Sequence, residues 1–453
     1  MQLERLIAAL APTDVVGSAA GEIRELAYDA REVPEGSLFF CIPGARVDGH
    51  DLAGQAVARG AVALVVERRL AVGVPQLVVP SVREAMPRAA VAFFGDPTAE
   101  LPVVGITGTN GKTTTAYLLS SILSAAGLRP GLLTNVERRV GTTVQQAALN
   151  TPEAIDLQRL FRQMLDGGNR ACVMEATSMG STQSRLEGTR FAVLVFTNLT
   201  QDHLDFHGTM ADYFEAKRRL FGQAATAVVN VGDEYGARLA AELPGVVPFR
   251  RHDDLAGIDL KLRGAFNKEN ALAAAAAARA LGVEEDPIKR GIEVVERVPG
   301  RFEVVDEGQP FTVLVDYAHT PGALEATLEA ARELTRGRVV CVFGAGGDRD
   351  RDKRPQMGRI VAELADIGIV TSDNPRGEDP AEIAADVADR LDLSIELDRR
   401  RAIERALELA REGDLVLVAG KGHEQGQEIA GRKLPFDDRE VVRDTLRRLR
   451  APA

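Results

Sequence analysis

The sequence has few cysteines and no long apolar run. Cys41, Cys172 and Cys341 are the three cysteines among 453 residues, and they lie far apart without a CxxC spacing. This pattern argues against a disulfide framework and gives no indication of a zinc site. No uninterrupted apolar stretch of about 18 residues occurs, and the first segment, MQLERLIAALAPTD, carries charges inside a short apolar stretch. We therefore expect a cytoplasmic protein without a signal peptide and without membrane insertion.

The sequence also lacks an excess of basic charge. It has 55 Lys and Arg against 66 Asp and Glu, which gives a net charge of −11. Such a chain does not bind nucleic acid or anionic membranes by bulk electrostatics, so any anionic ligand has to be held by specific groups. We predict no nucleic-acid partner and expect a monomer.

Short apolar runs alternate with helical stretches along the chain, which predicts an α/β fold. The runs are apolar throughout, as is typical of parallel strands buried on both faces. They cover residues 101–107, 171–174, 191–197, 226–231, 311–315, 339–343, 367–371 and 414–420. Polar clusters follow the runs directly. Since ligands of parallel sheets bind beyond the carboxyl ends of the strands, we predict one or two clefts there.

Two proline-containing segments interrupt the pattern and suggest domain boundaries. They are GDPTAELP at 95–102 and RVPGRFEVV at 297–305. A chain of this length exceeds what one hydrophobic core usually supports. We predict three domains, near 1–98, 99–299 and 300–453.

The segment GITGTNGKTTT, residues 105–115, lies between a predicted strand and a predicted helix. In that context a phosphate chain would accept backbone N–H groups at the helix N-terminus, while Lys112 neutralises the outer phosphates and Thr113 reaches Mg²⁺. The strict P-loop spacing is missed, because Ile106 stands where the first glycine belongs. We predict ATP binding here rather than a structural turn.

Three further residues could complete a Mg²⁺ site around ATP. Glu175 ends one predicted strand, His203 follows another, and Lys217 lies in a predicted helix. Taken alone, His203 and His207 are equally well explained as capping or core histidines, and Lys217 as a solvated helix lysine.

Several motifs together, in this order, resemble those of the Mur ligases. They are GITGTNGKTTT, MEATS, FTNLTQDHLDFHG, GAFNKENALAA, PGRFEVV, DYAHTPGALE, GAGGDRDRDKRP, SDNPRGEDP and GKGHE. The resemblance implies a UDP-sugar-binding domain, a central P-loop ATPase with a parallel or mixed sheet, and a C-terminal Rossmann-like domain that brings the amino acid. These three parts agree with the boundaries predicted above.

The resemblance assigns roles around ATP and Mg²⁺. It implies that Lys217 is carbamylated and that Thr113, Glu175, His203 and Lys217 hold Mg²⁺, with Lys112 as a further catalytic residue. It places Asn267 and Asn270 near the base, Arg301 near the phosphates and Asp316 on the ribose. Without the resemblance, the asparagines would be helix caps, and Arg301 with Asp316 a surface ion pair. The loop residues assigned to the phosphates are Gly108, Thr109, Asn110, Gly111, Lys112, Thr113 and Thr114.

For the UDP-linked sugar peptide the sequence both matches and departs from the family pattern. The sequence has Thr177, Ser178 and Met179 where a Ser-Ser-His run is expected, and Asp29, Ala30 and Arg31 where Asp-Ser-Arg is expected. The matching positions are Arg46, Asn150, Thr151, Thr177, Gln183 and Arg185.

The DNPR segment implies a diamino acid as the second substrate. In the family this segment recognises meso-diaminopimelate, with Arg376 facing the distal carboxylate and Arg349 the near one. Alone, DNPR would be an Asx-type turn with a surface arginine. The full set assigned to the amino acid is Arg349, Asp373, Asn374, Pro375, Arg376, Gly420 and Glu424.

The implied reaction is ATP-dependent amide formation through an acyl phosphate, in the synthesis of peptidoglycan precursors. The implied partners are the UDP-N-acetylmuramoyl dipeptide and the diamino acid. A lysine- or ornithine-adding enzyme and a non-catalytic relative that binds ATP or UDP-sugar remain open alternatives. Folylpolyglutamate synthases and the ligase that attaches a dipeptide share the ATPase plan, but DNPR argues against both. A dehydrogenase is disfavoured because Arg349 breaks the GxGxxG pattern in GAGGDRD.

Overall fold

The first part of the chain forms a five-stranded sheet with helices on both faces. The computed structural model describes residues 1–44, 47–147, 149–255 and 257–450. The strand order is β1-β5-β4-β3-β2, and only β1 pairs antiparallel. The strands are β1 (Asp14–Val16), β2 (Glu25–Ala27), β3 (Ser37–Phe40), β4 (Ala61–Val66) and β5 (Gln76–Val78), and the helices are α1 (Leu3–Leu10), α2 (Ala53–Ala58) and α3 (Val82–Phe94), with 3₁₀ turns at Gly49–Leu52 and Pro97–Ala99.

The described residues in the middle of the chain form eight strands and eight helices. The strands are β6 (Val103–Thr107), β7 (Pro130–Leu133), β8 (Glu137–Val140), β9 (Thr143–Gln146), β10 (Ala171–Glu175), β11 (Phe191–Phe196), β12 (Ala224–Asn230) and β13 (Val247–Phe249). The helices are α4 (Lys112–Ala125), α5 (Ala154–Asp166), α6 (Ser178–Thr182), α7 (Leu204–His207), α8 (Met210–Arg218), α9 (Glu234–Glu242), α10 (Ala265–Ala280) and α11 (Glu285–Glu293), with a 3₁₀ turn at Arg219–Gln223. Strand β10 pairs parallel with β6 and β7, β12 pairs parallel with β13, and β7, β8 and β9 form antiparallel pairs.

The last part of the chain forms a six-stranded sheet of Rossmann-like character and a hairpin. The order is β14-β15-β19-β16-β17-β18, parallel except for β14, and β20 pairs antiparallel with β21. The strands are β14 (Glu303–Val304), β15 (Thr312–Asp316), β16 (Val339–Phe343), β17 (Ile367–Val370), β18 (Ser394–Ile395), β19 (Leu415–Ala419), β20 (Gly426–Ile429) and β21 (Arg432–Pro435). The helices are α12 (Pro321–Leu334), α13 (Lys353–Leu364), α14 (Pro380–Ala388), α15 (Arg399–Leu409) and α16 (Asp438–Arg450).

The central strands of the six-stranded sheet are buried on both faces. Leu314, Cys341 and Phe343 belong to one apolar core, whereas Val313 and Val340 belong to the core on the opposite face. Successive side chains of a strand point to opposite faces, so an unbroken apolar run fills both cores. Each of the predicted runs coincides with a strand, namely β6, β10, β11, β12, β15, β16, β17 and β19. The hairpins β8–β9 and β20–β21 were not predicted.

Tertiary contacts divide the chain into two compact units. Unit one comprises Met1–Ile106, Leu128–Leu194 and Ala216–Thr226, and unit two comprises Thr107–Gly127, Val195–Glu215 and Ala227–Ala453. The three-domain boundaries near residues 98 and 299 stay a prediction. Within the parts of the chain described above, no helix is long and apolar enough to cross a membrane.

Candidate active site

The segment from Gly108 to Lys112 forms a loop between β6 and the N-terminus of α4, as predicted. Gly111, with φ +85°, caps the helix. A Cβ atom at Gly111 would lie 2.3 Å from Oδ1 of Asn270, so only glycine fits. Lys112 Nζ donates to the carbonyl oxygens of Gly108 at 3.0 Å and Thr109 at 2.7 Å. The ammonium therefore lies over the loop at the start of a helix, where anions bind.

Residues that follow β11 fasten this loop. The N–H of Thr109 donates to the carbonyl of Asn198 at 2.9 Å, and the N–H of Asn110 donates to Oδ1 of Asn198 at 2.9 Å. The N–H of Thr200 donates to Oγ1 of Thr109 at 3.0 Å. Sequence reasoning did not single out Asn198 or Thr200, although both lie in the quoted TNLTQDH motif. Their contacts hold a loop that lacks the strict P-loop spacing.

Asn267 and Asn270 lie inside α10, where they are 2% and 7% exposed. Asn270 Nδ2 donates to Oδ1 of Asn267 at 3.0 Å, and Thr115 Oγ1 donates to Oδ1 of Asn270 at 3.4 Å. The helix-capping interpretation of the two asparagines is therefore wrong. Asn267 also lines a cavity of about 580 Å³ together with Arg263, Arg297 and Arg301. That volume is within the usual range for small-molecule sites.

Arg301 and Asp316 are not a surface ion pair. Arg301 Nη2 donates to Oγ1 of Thr113 at 2.9 Å, and its guanidinium lies 4.2 Å from the ring centroid of Tyr317. The buried carboxylate of Asp316 accepts the N–H of Phe302 at 2.6 Å and that of Ala318 at 2.8 Å. Burial raises the pKa of Asp316, and the Arg301 charge opposes that shift. Asp316 thus fixes the turn that presents Arg301 to the loop, and its contact with a ribose stays a prediction.

Of the three residues predicted for Mg²⁺ beyond Thr113, Glu175 and Lys217 belong to unit one and His203 belongs to unit two. In unit one, Glu175 ends β10 and accepts the N–H of Asn135 at 3.2 Å. Lys217, also in unit one, is 1% exposed, so the solvated-lysine interpretation is wrong. In unit two, His203 has φ +56°, and its Nε2 lies 3.3 Å from Oδ2 of Asp202. No group of three His, Cys, Asp or Glu side chains forms a metal-binding cluster among the described residues.

Asp202 is a buried carboxylate next to His203 that sequence reasoning missed. Its Oδ2 lies 3.9 Å from Nε2 of His319, and its Oδ1 lies 3.9 Å from Nζ of Lys353. Burial opposes ionisation, but His203, His319 and Lys353 lower the pKa of Asp202 to about 2. His207, in contrast, stacks on the ring of Tyr213 at 5.0 Å, which agrees with its interpretation as a packing residue.

Only some of the residues predicted to bind the UDP-linked substrate contact one another. Oγ1 of Thr151 lies 2.9 Å from Oγ1 of Thr177, and Arg185 Nη1 donates to the carbonyl of Thr151 at 3.1 Å. Thr177 also caps α6 by accepting the N–H of Gly180 at 3.1 Å. Gln183 follows that helix and is partly buried, whereas Asn150 is exposed. Arg46 lies outside the described residues.

The two departures from the family pattern differ in their surroundings. Met179 is partly exposed on α6. Ala30 is 2% exposed and packs in a core with Phe39 and Cys41. Asp29 and Arg31, its neighbours in sequence, line a cavity of about 590 Å³ in unit one.

The DNPR turn, which follows β17, is held by its asparagine. Oδ1 of Asn374 accepts Nζ of Lys421 and the N–H of Glu428, both at 2.9 Å, and Nδ2 donates to Oε2 of Glu424 at 2.9 Å. The N–H of Arg376 donates to the carbonyl of Glu428 at 3.0 Å. The unpredicted hairpin β20–β21 therefore backs the turn, and the interpretation as a simple surface turn is wrong.

The other residues predicted to bind the amino acid substrate lie in this turn or near it. Arg376 has φ +53°, donates from Nη1 to the carbonyl of Gly347 at 2.7 Å and lies 3.5 Å from Glu428. Asp373 is 8% exposed, and a Cβ atom at Gly420 would lie 2.5 Å from its Oδ2. The structure thus brings Asp373, Asn374, Arg376, Gly420 and Glu424 together. Pro375 lies within the turn, and Arg349 is exposed and donates to the carbonyl of Asp348.

Comparison with known proteins identifies the family to which this α/β chain belongs. Three family models match: "Mur ligase family, catalytic domain" at residues 22–97, "Mur ligase middle domain" at 106–250 and "Mur ligase, glutamate ligase domain" at 300–422. The chain belongs to the Mur ligase family. The family and the three-domain α/β fold predicted from the sequence are thereby confirmed.

Its relatives cover the chain almost completely. A UDP-N-acetylmuramoyl-L-alanyl-D-glutamate--2,6-diaminopimelate ligase of Geobacter metallireducens is 44% identical over 99% of both chains. One of Aquifex aeolicus is 41% identical over 94% of both chains. A solved structure with the same protein name is 30% identical, covers 100% of both chains and has a TM-score of 0.67. The fold is also that of MurF from Acinetobacter baumannii, at 22% identity, a TM-score of 0.67 and coverage of 92% of this chain and 95% of that chain.

Replacing Gly111 by alanine should weaken nucleotide binding. The added Cβ would lie 2.3 Å from Oδ1 of Asn270, and a left-handed φ of +85° strains any other residue. Strain of roughly 1–3 kcal/mol corresponds to about a tenfold to hundredfold loss of affinity. Calorimetric titration with a non-hydrolysable ATP analogue measures it.

Gly127→Ala is the matched control for this prediction. Gly127 follows the other end of α4 with φ +79°, and a Cβ there would meet nothing within 4 Å. This variant should lose stability but keep its nucleotide affinity. Equal affinity in Gly111→Ala and the parent protein would contradict the assigned loop.

Proposed function

We propose that this chain joins meso-diaminopimelate to UDP-N-acetylmuramoyl-L-alanyl-D-glutamate and forms ADP and phosphate from ATP. The prediction of an ATP-dependent ligase of this family is confirmed by the activity that its relatives carry in their names. The observation that carries the choice of amino acid is the cluster of Asp373, Arg376 and Glu424 around the Asn374 turn. It presents both charge signs to a ligand, as an amino-acid group at the far end of the substrate requires.

The chemistry explains why ATP is needed. A carboxylate is not an electrophile at neutral pH, so the γ-phosphoryl group of ATP is first transferred to the substrate carboxylate. The amine of the diamino acid then attacks the acyl carbon, loses a proton and expels phosphate. The P-loop backbone and Lys112 would hold the ATP phosphates, and Arg301 beside Thr113 would offset charge that develops during transfer.

We assign Mg²⁺ to the Gly108–Lys112 loop and the following Thr113, whose hydroxyl is an oxygen donor. Mg²⁺ prefers oxygen ligands and keeps waters and substrate phosphates. When bound, Mg²⁺ would neutralise phosphate charge. The ammonium of Lys217 cannot act as a ligand, but a carbamate formed with CO₂ would be an anionic oxygen donor. Lys217 is 1% exposed, so the proposed carbamate would be held within the protein rather than in solvent.

For the first substrate, Thr151, Thr177 and Arg185 offer hydroxyls and a guanidinium in unit one. We assign the UDP-linked dipeptide to this set, with Gln183, Asn150 and Arg46. The buried methyl of Ala30 leaves the neighbouring polar side chains, Asp29 and Arg31, to line the adjacent cavity. The loss of the family serine there removes a hydroxyl contact.

The proposed reaction is tested by phosphate release. Release should require ATP, Mg²⁺, UDP-N-acetylmuramoyl-L-alanyl-D-glutamate and a diamino acid together. A panel of meso-diaminopimelate, lysine and ornithine, with Lys112→Ala as the inactive control, identifies the amino acid. Binding of the nucleotide and the UDP-linked dipeptide without phosphate release under any combination would favour a non-catalytic relative.

Replacing Lys217 by alanine should abolish activity, which short carboxylic acids should partly restore. The added carboxylate can occupy the space of the lost carbamate and supply the missing oxygen ligand. Phosphate release with and without acetate or propionate measures the rescue. Lys289→Ala, an exposed lysine paired with Glu293 in α11, should stay fully active. An active Lys217→Ala protein would show that no carbamate is needed.

Replacing Arg376 by alanine should reduce kcat/KM for meso-diaminopimelate far more than for lysine. Lysine has no second carboxylate, whereas meso-diaminopimelate loses a charged hydrogen bond worth roughly 1–3 kcal/mol. Arg401→Ala, exposed on α15, serves as the control. A parent enzyme that prefers lysine or ornithine over meso-diaminopimelate would show that this role of Arg376 is wrong.

A further inference from the structure

Lys421, in the GKGHE motif, lies at the centre of the predicted diamino acid pocket and was not among the predicted site residues. Its side chain is completely buried. Nζ donates to Oδ1 of Asn374 and to Oε2 of Glu424, both at 2.9 Å. Nδ2 of Asn374 donates to the same oxygen of Glu424 at 2.9 Å. The three side chains form a closed hydrogen-bonded triangle.

The other cations near this triangle have carboxylate partners of their own. Arg399 forms a two-pronged pair with Asp438, in which both side chains are fully buried. Arg376 lies beside Glu428. Lys421 faces Glu424 directly, with Nζ 2.9 Å from Oε2.

Asp373 depends on the same ammonium. Burial opposes its ionisation, yet its pKa is lowered, most strongly by Lys421 and then by Arg399, His319 and Arg376. Its Oδ2 accepts no hydrogen bond from the described residues, although Asp373 is only 8% exposed. A buried carboxylate oxygen in this state lacks a donor that a ligand ammonium could supply.

We infer that Lys421 is a positioning residue that sets the affinity and selectivity for the diamino acid. It orients Glu424 and Asn374 through its two hydrogen bonds, and its charge favours the ionised form of Asp373 as an acceptor for the ligand ammonium. This inference rests on the proposed function. The lysine itself is not expected to touch the reacting atoms.

Removal of the charge has a consequence that a purely structural role would not have. Without the ammonium, Asp373 loses the opposite charge that lowers its pKa most strongly, so its pKa rises. At a given pH a larger fraction of Asp373 is then protonated and accepts poorly from a ligand ammonium. Raising the pH ionises Asp373 again. The acid limb of kcat/KM for the diamino acid therefore moves to higher pH.

The test compares Lys421→Met, Glu424→Gln and the double variant in the full-length enzyme. Lys421→Met should raise KM for meso-diaminopimelate at least about tenfold at pH 7 and move the acid limb upward by about one pH unit. KM for ATP and for the UDP-linked dipeptide should stay within about twofold. The increase in KM for meso-diaminopimelate should be smaller in the double variant than the increases of the two single variants combined, because glutamine needs no counter-ion. Lys433→Met, an exposed lysine of β21, is the control.

Several outcomes would overturn the inference. An unchanged KM for meso-diaminopimelate with an unmoved pH profile would do so, and so would an equal rise of all three KM values. If Lys421→Met does not fold, the comparison of the double variant with Glu424→Gln decides: the double variant should have the higher KM for the amino acid, and an equal KM would overturn the inference. A parent enzyme that uses no diamino acid would overturn the proposed function and this inference with it. If the parent enzyme is active and the Lys421→Met variant is unaffected, only this inference is overturned.

Discussion

A single buried ion pair fixes the sheet edge on which the predicted amino acid pocket depends. Arg399, at the start of α15, pairs with Asp438 at the start of α16 and donates to the carbonyl of Ala419 at 2.9 Å and of Ser372 at 3.4 Å. Those carbonyls end β19 and the segment after β17, so one guanidinium holds two loops. Desolvation of such a pair is costly, and good geometry with satisfied hydrogen bonds is what offsets it. Asp373 and Gly420 are the next residues along each loop, which explains their close approach.

Polar side chains hold the loops that carry the predicted site. Asn198 binds the Gly108–Lys112 loop through its carbonyl and its amide oxygen, and Asn374 links the DNPR turn to Lys421, Glu424 and Glu428. Loops at a sheet edge expose backbone groups that need partners. Short amide side chains supply those partners with little loss of conformational freedom, and the result is a rigid site.

The sequence allows prediction of features that depend on local pattern. The central strands are recognisable because burial on both faces demands an unbroken apolar run, as in 339–343. Strands β8 and β9 escaped prediction because they are polar and largely accessible, so no apolar alternation marks them. The loop between β6 and α4 could be predicted because its glycines, lysine and threonine are contiguous, and its phosphate-binding role stays a prediction.

Burial of a polar residue depends on partners far away in the sequence, and this is where prediction fails. Lys421 contacts Asn374, which lies 47 residues earlier. The residues around Lys421 in GKGHE are typical of an ordinary loop, so no local signal distinguishes this lysine. The same holds for Lys217, which looks like a solvated lysine and is buried, and for the asparagines of α10. The family resemblance supplied a role for Lys217 but none for Lys421.

Charge balance explains why this pocket would discriminate between diamino acids. The described cluster contains the cations Lys421 and Arg376 and the carboxylates of Asp373, Glu424 and Glu428. The far end of meso-diaminopimelate carries one ammonium and one carboxylate, so binding adds no net charge, and each ligand group meets an opposite charge. Lysine brings only the ammonium. With lysine bound, Arg376 would keep Glu428 as its carboxylate partner, with 3.5 Å between Nε and Oε2, and would lack the bidentate partner that a ligand carboxylate offers. The side chain of Glu428 is about half exposed. Selectivity then follows from a guanidinium that lacks its bidentate partner in the wrong complex rather than from a tighter fit in the right one.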